Sequence, residues 1–238
     1  MKNIGKLFIV ATPIGNLEDI TFRAIRVLKE VDMIACEDTR HSRVLFDRYE
    51  IKTPTVSYFE ANRAKVLSKI AYIISQIQKG KNIALVTDAG TPGISDPGQF
   101  LIQKATEAEI EISPIPGPSA FVSALSIFGF NDGSYLFIPF LPKKKGRQTL
   151  LKKICRMDSA IVFYESPHRV IKTLEDLAMY FSAERPIVIC RELTKQFEEI
   201  FRGTIEEAQK YFNESKIRGE FVFVVKGSNN VNNSSLKD

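Results

Sequence analysis

Twelve consecutive residues, Thr87 to Gly98, hold three glycines, two prolines and two aspartates. Glycine lets a backbone approach a ligand closely, and exposed N–H groups in such a turn bind a carboxylate or ribose oxygens. The spacing is neither Gly-x-Gly-x-x-Gly nor Gly-x-x-x-x-Gly-Lys-Ser/Thr, which excludes the dinucleotide fingerprint and the P-loop. Asp96 before Pro97 suits a helix N-cap with proline at the first helical position. Capping does not account for Asp88 to Gly93, which reads as a ligand loop. Three more turn-rich segments have the same character: Thr12 to Asn16, Pro116 to Ala120 and Glu165 to Arg169. A different pattern lies at 143–156, where Lys143, Lys144, Lys145, Arg147, Lys152, Lys153 and Arg156 put seven cations into fourteen residues with no acid among them. Such a run either solvates the start of a helix or grips phosphates; its place directly after an apolar strand favours phosphate.

Other chemistries are excluded by what the chain lacks. His41 and His168 are its only histidines, and Cys36, Cys155 and Cys190 are far apart without a Cys-x-x-Cys pair. No metal site is expected, nor a disulfide framework, and a reducing compartment fits.

The elements that must position these loops alternate. Leu7–Ala11, Met33–Cys36, Thr55–Ser57, Ile83–Val86 and Ile110–Ile115 read as strands in the first half. Helical spacing covers Ile20–Val31, Arg43–Tyr49, Asn62–Lys79 and Pro97–Glu107. Pro114, Pro116, Gly117 and Pro118 then punctuate the chain, and the domain boundary is expected there, giving domains 1–115 and 116–227. The second half resumes with helices at 120–128, 147–157, 170–181 and 205–212, and strands at 135–140, 160–164, 187–190, 199–201 and 220–225. The Asn/Ser-rich tail 228–238 is expected to be disordered. Strand–helix alternation in both halves predicts two α/β domains. In such sheets ligands bind beyond the carboxyl ends of the strands, where all four turn-rich segments fall.

With 238 residues, 44% hydrophobic and 26% charged, the chain has ordinary globular composition. Its 33 basic and 28 acidic side chains leave a charge of +5, which permits an anionic partner. The apolar run 7–11 is too short for the core of a secretion signal, and the stretch 119–130 is too short to span a membrane, so a cytoplasmic protein with no membrane partner is expected.

Seven segments in order carry a resemblance. They are Thr12–Thr21, Glu37–Arg40, Asp88–Gly98, Pro116–Ala120, Phe163–Arg169, Arg191–Lys195 and Gly219–Phe221. Together they resemble the bacterial ribosomal RNA small subunit methyltransferase I family, within the tetrapyrrole methylase superfamily (class III methyltransferases), over about residues 6 to 227. The resemblance implies two α/β domains with S-adenosyl-L-methionine in the cleft between them, and a homodimer. It also implies 2′-O-methylation of a cytidine ribose in the decoding region of 16S rRNA, within the small ribosomal subunit. By similarity the cofactor is held by Pro13, Asp88, Ala89, Thr91, Ile94, Ser119, Ala120, Glu165 and Glu192 together with Gly219, Glu220 and Phe221. Backbone N–H groups of the glycine loop suit the cofactor's carboxylate, and Asp88 or Glu192 suits its ammonium or ribose diol.

A ribose hydroxyl is a weak nucleophile while protonated, so a group must take its proton or stabilise the alkoxide. Candidates are His168, Lys195, Glu165 and Asp38. His168 has the most convenient ordinary pKa, but it opens a helix where capping or phosphate contact also fits. Lys195 suits a phosphate equally well, and Glu37 and Asp38 suit a helix cap. The cation run is expected to hold RNA phosphates through Lys143, Lys144, Lys145, Arg147, Lys152 and Lys153. Two other readings stay open: a C-methyltransferase acting on a tetrapyrrole, and a non-catalytic cofactor-binding factor in ribosome assembly.

Overall fold

A computed structural model describes residues 4–59, 63–95, 97–214 and 217–228. The capping role of Asp96, the helix start at Asn62 and the tail past Ser228 lie outside them. The chain divides into two compact units, one ending at Ser119 and the other beginning at Ala120. Among the described residues no helix is long and apolar enough to cross a membrane.

The N-terminal unit is built on β1 (Lys6–Val10), β2 (Met33–Cys36), β3 (Thr55–Ser57), β4 (Ile83–Val86) and β5 (Glu111–Ile115). Their order across the sheet is β3-β2-β4-β1-β5, and every pairing is parallel. All four residues of β2 and of β4 are buried, which is why these strands read as continuous apolar runs and not as alternation. One face is covered by α1 (Phe22–Glu30) and α2 (Thr39–Arg48), whose Val27, Leu28, Leu45 and Phe46 pack on Ile34, Ala84 and Val86. The other is covered by α3 (Arg63–Gln78) and α4 (Gln99–Glu107), which bring Ile70, Ile73, Ile77 and Leu101 onto Leu7, Ile83 and Leu85. α4 begins two residues later than the Pro97 start expected from sequence, with Gly98 as its N-cap at φ 130°.

The C-terminal unit has a mixed sheet of β6 (Tyr135–Phe140), β7 (Ala160–Glu165), β10 (Phe221–Val225), β8 (Pro186–Arg191) and β9 (Glu199–Thr204), in that spatial order. β6 and β7 are parallel, while β10 runs antiparallel to both β7 and β8 and β9 is antiparallel to β8. α6 (Arg147–Ile154), α7 (Val170–Phe181) and α8 (Ile205–Asn213) cover one face, and α5 (Ala120–Ser126) lies on the other. Both units are therefore α/β, as the alternation predicts. β10 is central and buried along its whole length, and the Phe223 ring stacks on Phe163 with centroids 5.1 Å apart. Truncating this ring removes a fully enclosed side chain. Phe223→Ala is expected to cost about 3–5 kcal/mol, read as a lower urea midpoint; an unchanged midpoint would contradict the packing.

Candidate active site

Because the N-terminal sheet is parallel, its strands all end at one edge. Three of the exits are fastened there. Thr12 N donates to the Gly90 carbonyl at 2.9 Å, and Gly90 N donates back to the Thr12 carbonyl at 3.0 Å. Thr12 Oγ1 donates to the Thr87 carbonyl at 3.1 Å, and Thr91 Oγ1 to the Pro118 carbonyl at 3.2 Å. Gly90 meets this geometry at φ +81°, a conformation favouring glycine. These ties bring Pro13, Asp88, Ala89, Thr91 and Ser119 into one loop cluster. Ala89 is exposed, Asp88 half-buried and Pro13 buried. Ile94 lies further along the same loop with its side chain in solvent.

A fourth exit joins through carboxylates. Glu37, directly after β2, accepts from Thr87 Oγ1 at 2.5 Å and from Asp88 N at 3.3 Å. Asp88 Oδ1 accepts from Asp38 N at 3.2 Å. A helix cap is one role the sequence offers Glu37; here it fixes the start of the glycine loop, a role signalled only by its position directly after a buried strand. Burial and then the Glu37 charge push the Asp88 carboxyl above the ordinary aspartate range. Asp38 behaves oppositely. It caps α2, accepting from Arg40 N at 2.8 Å, and it pairs with the Arg40 guanidinium at 2.8 Å. The side-chain bond from Arg40 leads in lowering its pKa to about 2. A carboxylate so held is a weak proton acceptor.

The C-terminal unit gathers a second set. Glu192 Oε1 accepts from Glu220 N at 2.9 Å and from Lys195 Nζ at 3.0 Å, and Lys195 also donates to Glu220 Oε2 at 2.8 Å. Gly219 makes room: a Cβ there would stand 2.5 Å from Glu192 Cδ. Glu192 and Thr194 sit at φ 51° and 65°, conformations that cost non-glycine residues about 1–3 kcal/mol each and concentrate at functional sites. Burial lowers the Lys195 pKa, but Glu220 and Glu192 outweigh it and hold the amine above its ordinary value. Lys195 thus stays protonated and is a cation, not a base. Phe221 is buried at the start of β10, opposite Glu165 and Arg191, and Ala120 opens α5.

Glu165 belongs to a buried network. Its carboxylate is enclosed and accepts from Ser166 N at 2.8 Å and Thr173 Oγ1 at 2.6 Å, and it pairs with Arg169 Nε at 3.1 Å. Thr173 Oγ1 in turn accepts from Arg147 Nη2 at 2.8 Å, and Arg147 Nε pairs with Asp176 at 2.7 Å. Arg147 is only 8% exposed. This corrects the reading of Arg147 as a phosphate contact, because its guanidinium is spent inside the unit. The Glu165 side chain is likewise internal. Lys143, Lys144, Lys145, Lys152 and Lys153 are all exposed. So is His168, on the short 3-10 turn Pro167–Arg169.

The sequence profile of the family described as Tetrapyrrole (Corrin/Porphyrin) Methylases matches residues 6–209. The fold agrees. A uroporphyrin-III C-methyltransferase from Thermus thermophilus, solved in complex with S-adenosylhomocysteine, superposes with a TM-score of 0.65 at 12% identity, covering 93% of this chain and 97% of that one. Two curated relatives are much nearer in sequence, and both are named ribosomal RNA small subunit methyltransferase I. The one from Synechocystis is 45% identical over 94% of this chain and 80% of its own length, and the one from Thermotoga maritima is 45% identical over 94% and 99%. The chain belongs to the small subunit methyltransferase I family of the tetrapyrrole methylases.

Asp88 gives a pH signature. Its folded pKa lies above its unfolded one, so between the two the native state keeps a proton that the unfolded chain has lost. The stability present at low pH is therefore lost as pH rises through the folded value. Asp88→Asn cannot lose that proton and keeps an oxygen for Asp38 N. Its urea midpoint is expected to rise relative to wild type as pH goes from about 4, the ordinary aspartate value, to neutrality. Parallel curves would show that Asp88 carries no such penalty.

Proposed function

We propose that the protein transfers the methyl group of S-adenosyl-L-methionine to the ribose 2′-hydroxyl of a cytidine in the decoding region of 16S rRNA, within the small ribosomal subunit and as a homodimer. The observation that carries this reading is the 45% identity, along almost the whole chain, to relatives named for small subunit rRNA methylation. The loop cluster supports the donor. Asp88 and Glu37 place two carboxyl groups at adjoining strand exits, suited to the ammonium of a cationic ligand. Asp88, whose ionised form is disfavoured without a partner, gains most from that neighbour.

Bound there, S-adenosylmethionine supplies an activated methyl group on a cationic sulfur. The chain's contribution is position. Pro13, Asp88, Ala89, Thr91, Ile94 and Ser119 hold the donor from the N-terminal unit, and Ala120, Glu192, Gly219, Glu220 and Phe221 are the C-terminal residues assigned to it. Of the four side chains named as proton acceptors, Asp38 is held as an acid-range carboxylate, Lys195 as an ammonium, and Glu165 inside a buried network with Arg169 and Thr173. His168 is exposed, and its imidazole nitrogen is the group assigned to take the hydroxyl proton. Lys143, Lys144 and Lys145, with Lys152 and Lys153, hold phosphates. The exposed cation run favours an RNA acceptor over a tetrapyrrole.

The direct test supplies tritiated donor and small subunits from a strain lacking the gene. Label is expected in 2′-O-methylcytidine after nuclease digestion. Label on a base, label only in a tetrapyrrole, or none at all would overturn the reading. Two variants follow. Asp88→Ala is expected to weaken donor binding by about 1–3 kcal/mol, measured by calorimetry. Replacing Lys143, Lys144 and Lys145 with glutamine is expected to weaken subunit binding and flatten its log–log salt dependence by about 0.7–0.9 per lost phosphate contact. The modified nucleotide and the donor affinity should not change, since phosphate contacts position a substrate without reading it. Superimposable salt titrations would remove these lysines from the interface.

A further inference from the structure

The edge strand β6 ends in an irregularity that the methyl-transfer reading does not use. Phe137 faces Val162 and Ile138 faces Phe163, but the next pair is Phe140 with Tyr164, so Pro139 is an extra residue. A regular strand would turn Phe140 to the side of Ile138 and Phe163, under the helices α6, α7 and α8. The bulge turns it to the opposite side, with Phe137 and Tyr164. Bulges re-aim side chains in this way and are frequent beside functional sites.

On that side the rings form a row. Phe121 of α5 stacks on Phe137 at 4.3 Å, the Tyr164 ring meets Phe137 edge-on at 5.3 Å, and it meets Phe140 in the same manner at 5.8 Å. Phe140 ends the row and is 53% exposed. The chain beyond it is clamped, because Arg169 Nη2 donates to the Leu141 carbonyl at 2.8 Å and Arg147 Nη1 to the Pro142 carbonyl at 3.1 Å. The exposed Lys143, Lys144 and Lys145 follow at once, within roughly 10 Å of Phe140 by chain length at its nearest member.

We propose that Phe140, backed by Tyr164, is a stacking platform for one unpaired base of the RNA, with Lys143 to Lys145 on the adjoining phosphates. The proposal rests on reading RNA as the substrate. A half-exposed ring beside exposed cations is the combination that binds single-stranded nucleic acid, since every base has a face to stack. A second copy of the chain is the other occupant such an edge admits. Pro139 argues against it: the residue has no N–H to offer, and the bulge breaks the regular edge that strand addition needs.

The chain contains no tryptophan, so Phe140→Trp installs a single reporter at the platform. Its emission is expected to be quenched saturably by a twelve-nucleotide oligocytidylate and not by an RNA duplex of equal charge. Phe140→Ala and Phe140→Leu are both expected to lose roughly 5- to 100-fold in affinity for the oligocytidylate while holding the duplex as wild type does. Leucine keeps apolar bulk, so its loss separates stacking from packing. If wild type binds the oligocytidylate and both truncations match it, the platform falls while the RNA reading stands. Emission that changes with protein concentration alone assigns the face to a second copy and overturns the proposal. If wild type binds neither RNA nor small subunits, both readings fall together.

Discussion

The reciprocal backbone pair between Thr12 and Gly90 is the constraint on which the loop cluster of the N-terminal unit depends. A parallel sheet delivers its loops to one edge but does not fix them to each other. Two hydrogen bonds, each worth about 0.5–1.5 kcal/mol net, make the exits of β1 and β4 a single structure. Further ties extend it: Glu37 carries the β2 exit into it, and Thr91 reaches the segment after β5. The last approach also needs Gly117, where a Cβ would press to 3.0 Å from Ala11 Cβ. Loops held in this way lose little freedom when a ligand arrives, so less of the binding energy is spent on ordering them.

The C-terminal unit solves a comparable problem with buried charge. Desolvating Arg147, Asp176 and Glu165 is costly, and breaking such a set by removing one partner leaves a charge with nothing to satisfy it. The set is retained in a form where Thr173 links the two carboxylates through Arg147. Its outer donors, from Arg147 and Arg169, fall on the carbonyls of Pro142 and Leu141. The interior network therefore reaches the surface at the segment between the bulged Phe140 and the lysines. A hydrophobic replacement could fill the same volume but could not grip two carbonyls.

Strands and helices were readable where burial dictates composition. Ile83–Val86 and Phe221–Val225 are apolar throughout because both faces are covered, and α7 carries its apolar stripe over Val170–Phe181. The turn-rich character of 87–98 was readable from its three glycines, all of which adopt positive φ. Three features were not. Arg147 looks like its neighbouring cations, and only partners 26 and 29 residues away, Thr173 and Asp176, turn it inward. Pro139 looks like an ordinary edge-strand proline, and its bulge shows only in the register against β7. β9 runs to Thr204 and not Phe201, because its full length pairs with β8 while its own pattern carries a glycine and an arginine. Local chemistry was legible; long-range pairing was not.

The distribution of charge bears on how a methyl donor and an RNA acceptor are kept in their own sites. The strand exits of the N-terminal unit present Glu37, Asp38 and Asp88, with Arg40 committed to Asp38. The surface after β6 presents Lys143, Lys144 and Lys145 with no carboxylate in the run. Under the proposed reading the donor is cationic at sulfur and at its ammonium, and the acceptor is a polyanion. Each ligand is then attracted by one surface and repelled by the other, so discrimination does not rest on shape alone. Under that reading the cost falls on the loop cluster before the donor binds, where burial and the Glu37 charge disfavour an ionised Asp88. That unfavourable state is what a cationic ligand relieves and an anionic one would worsen.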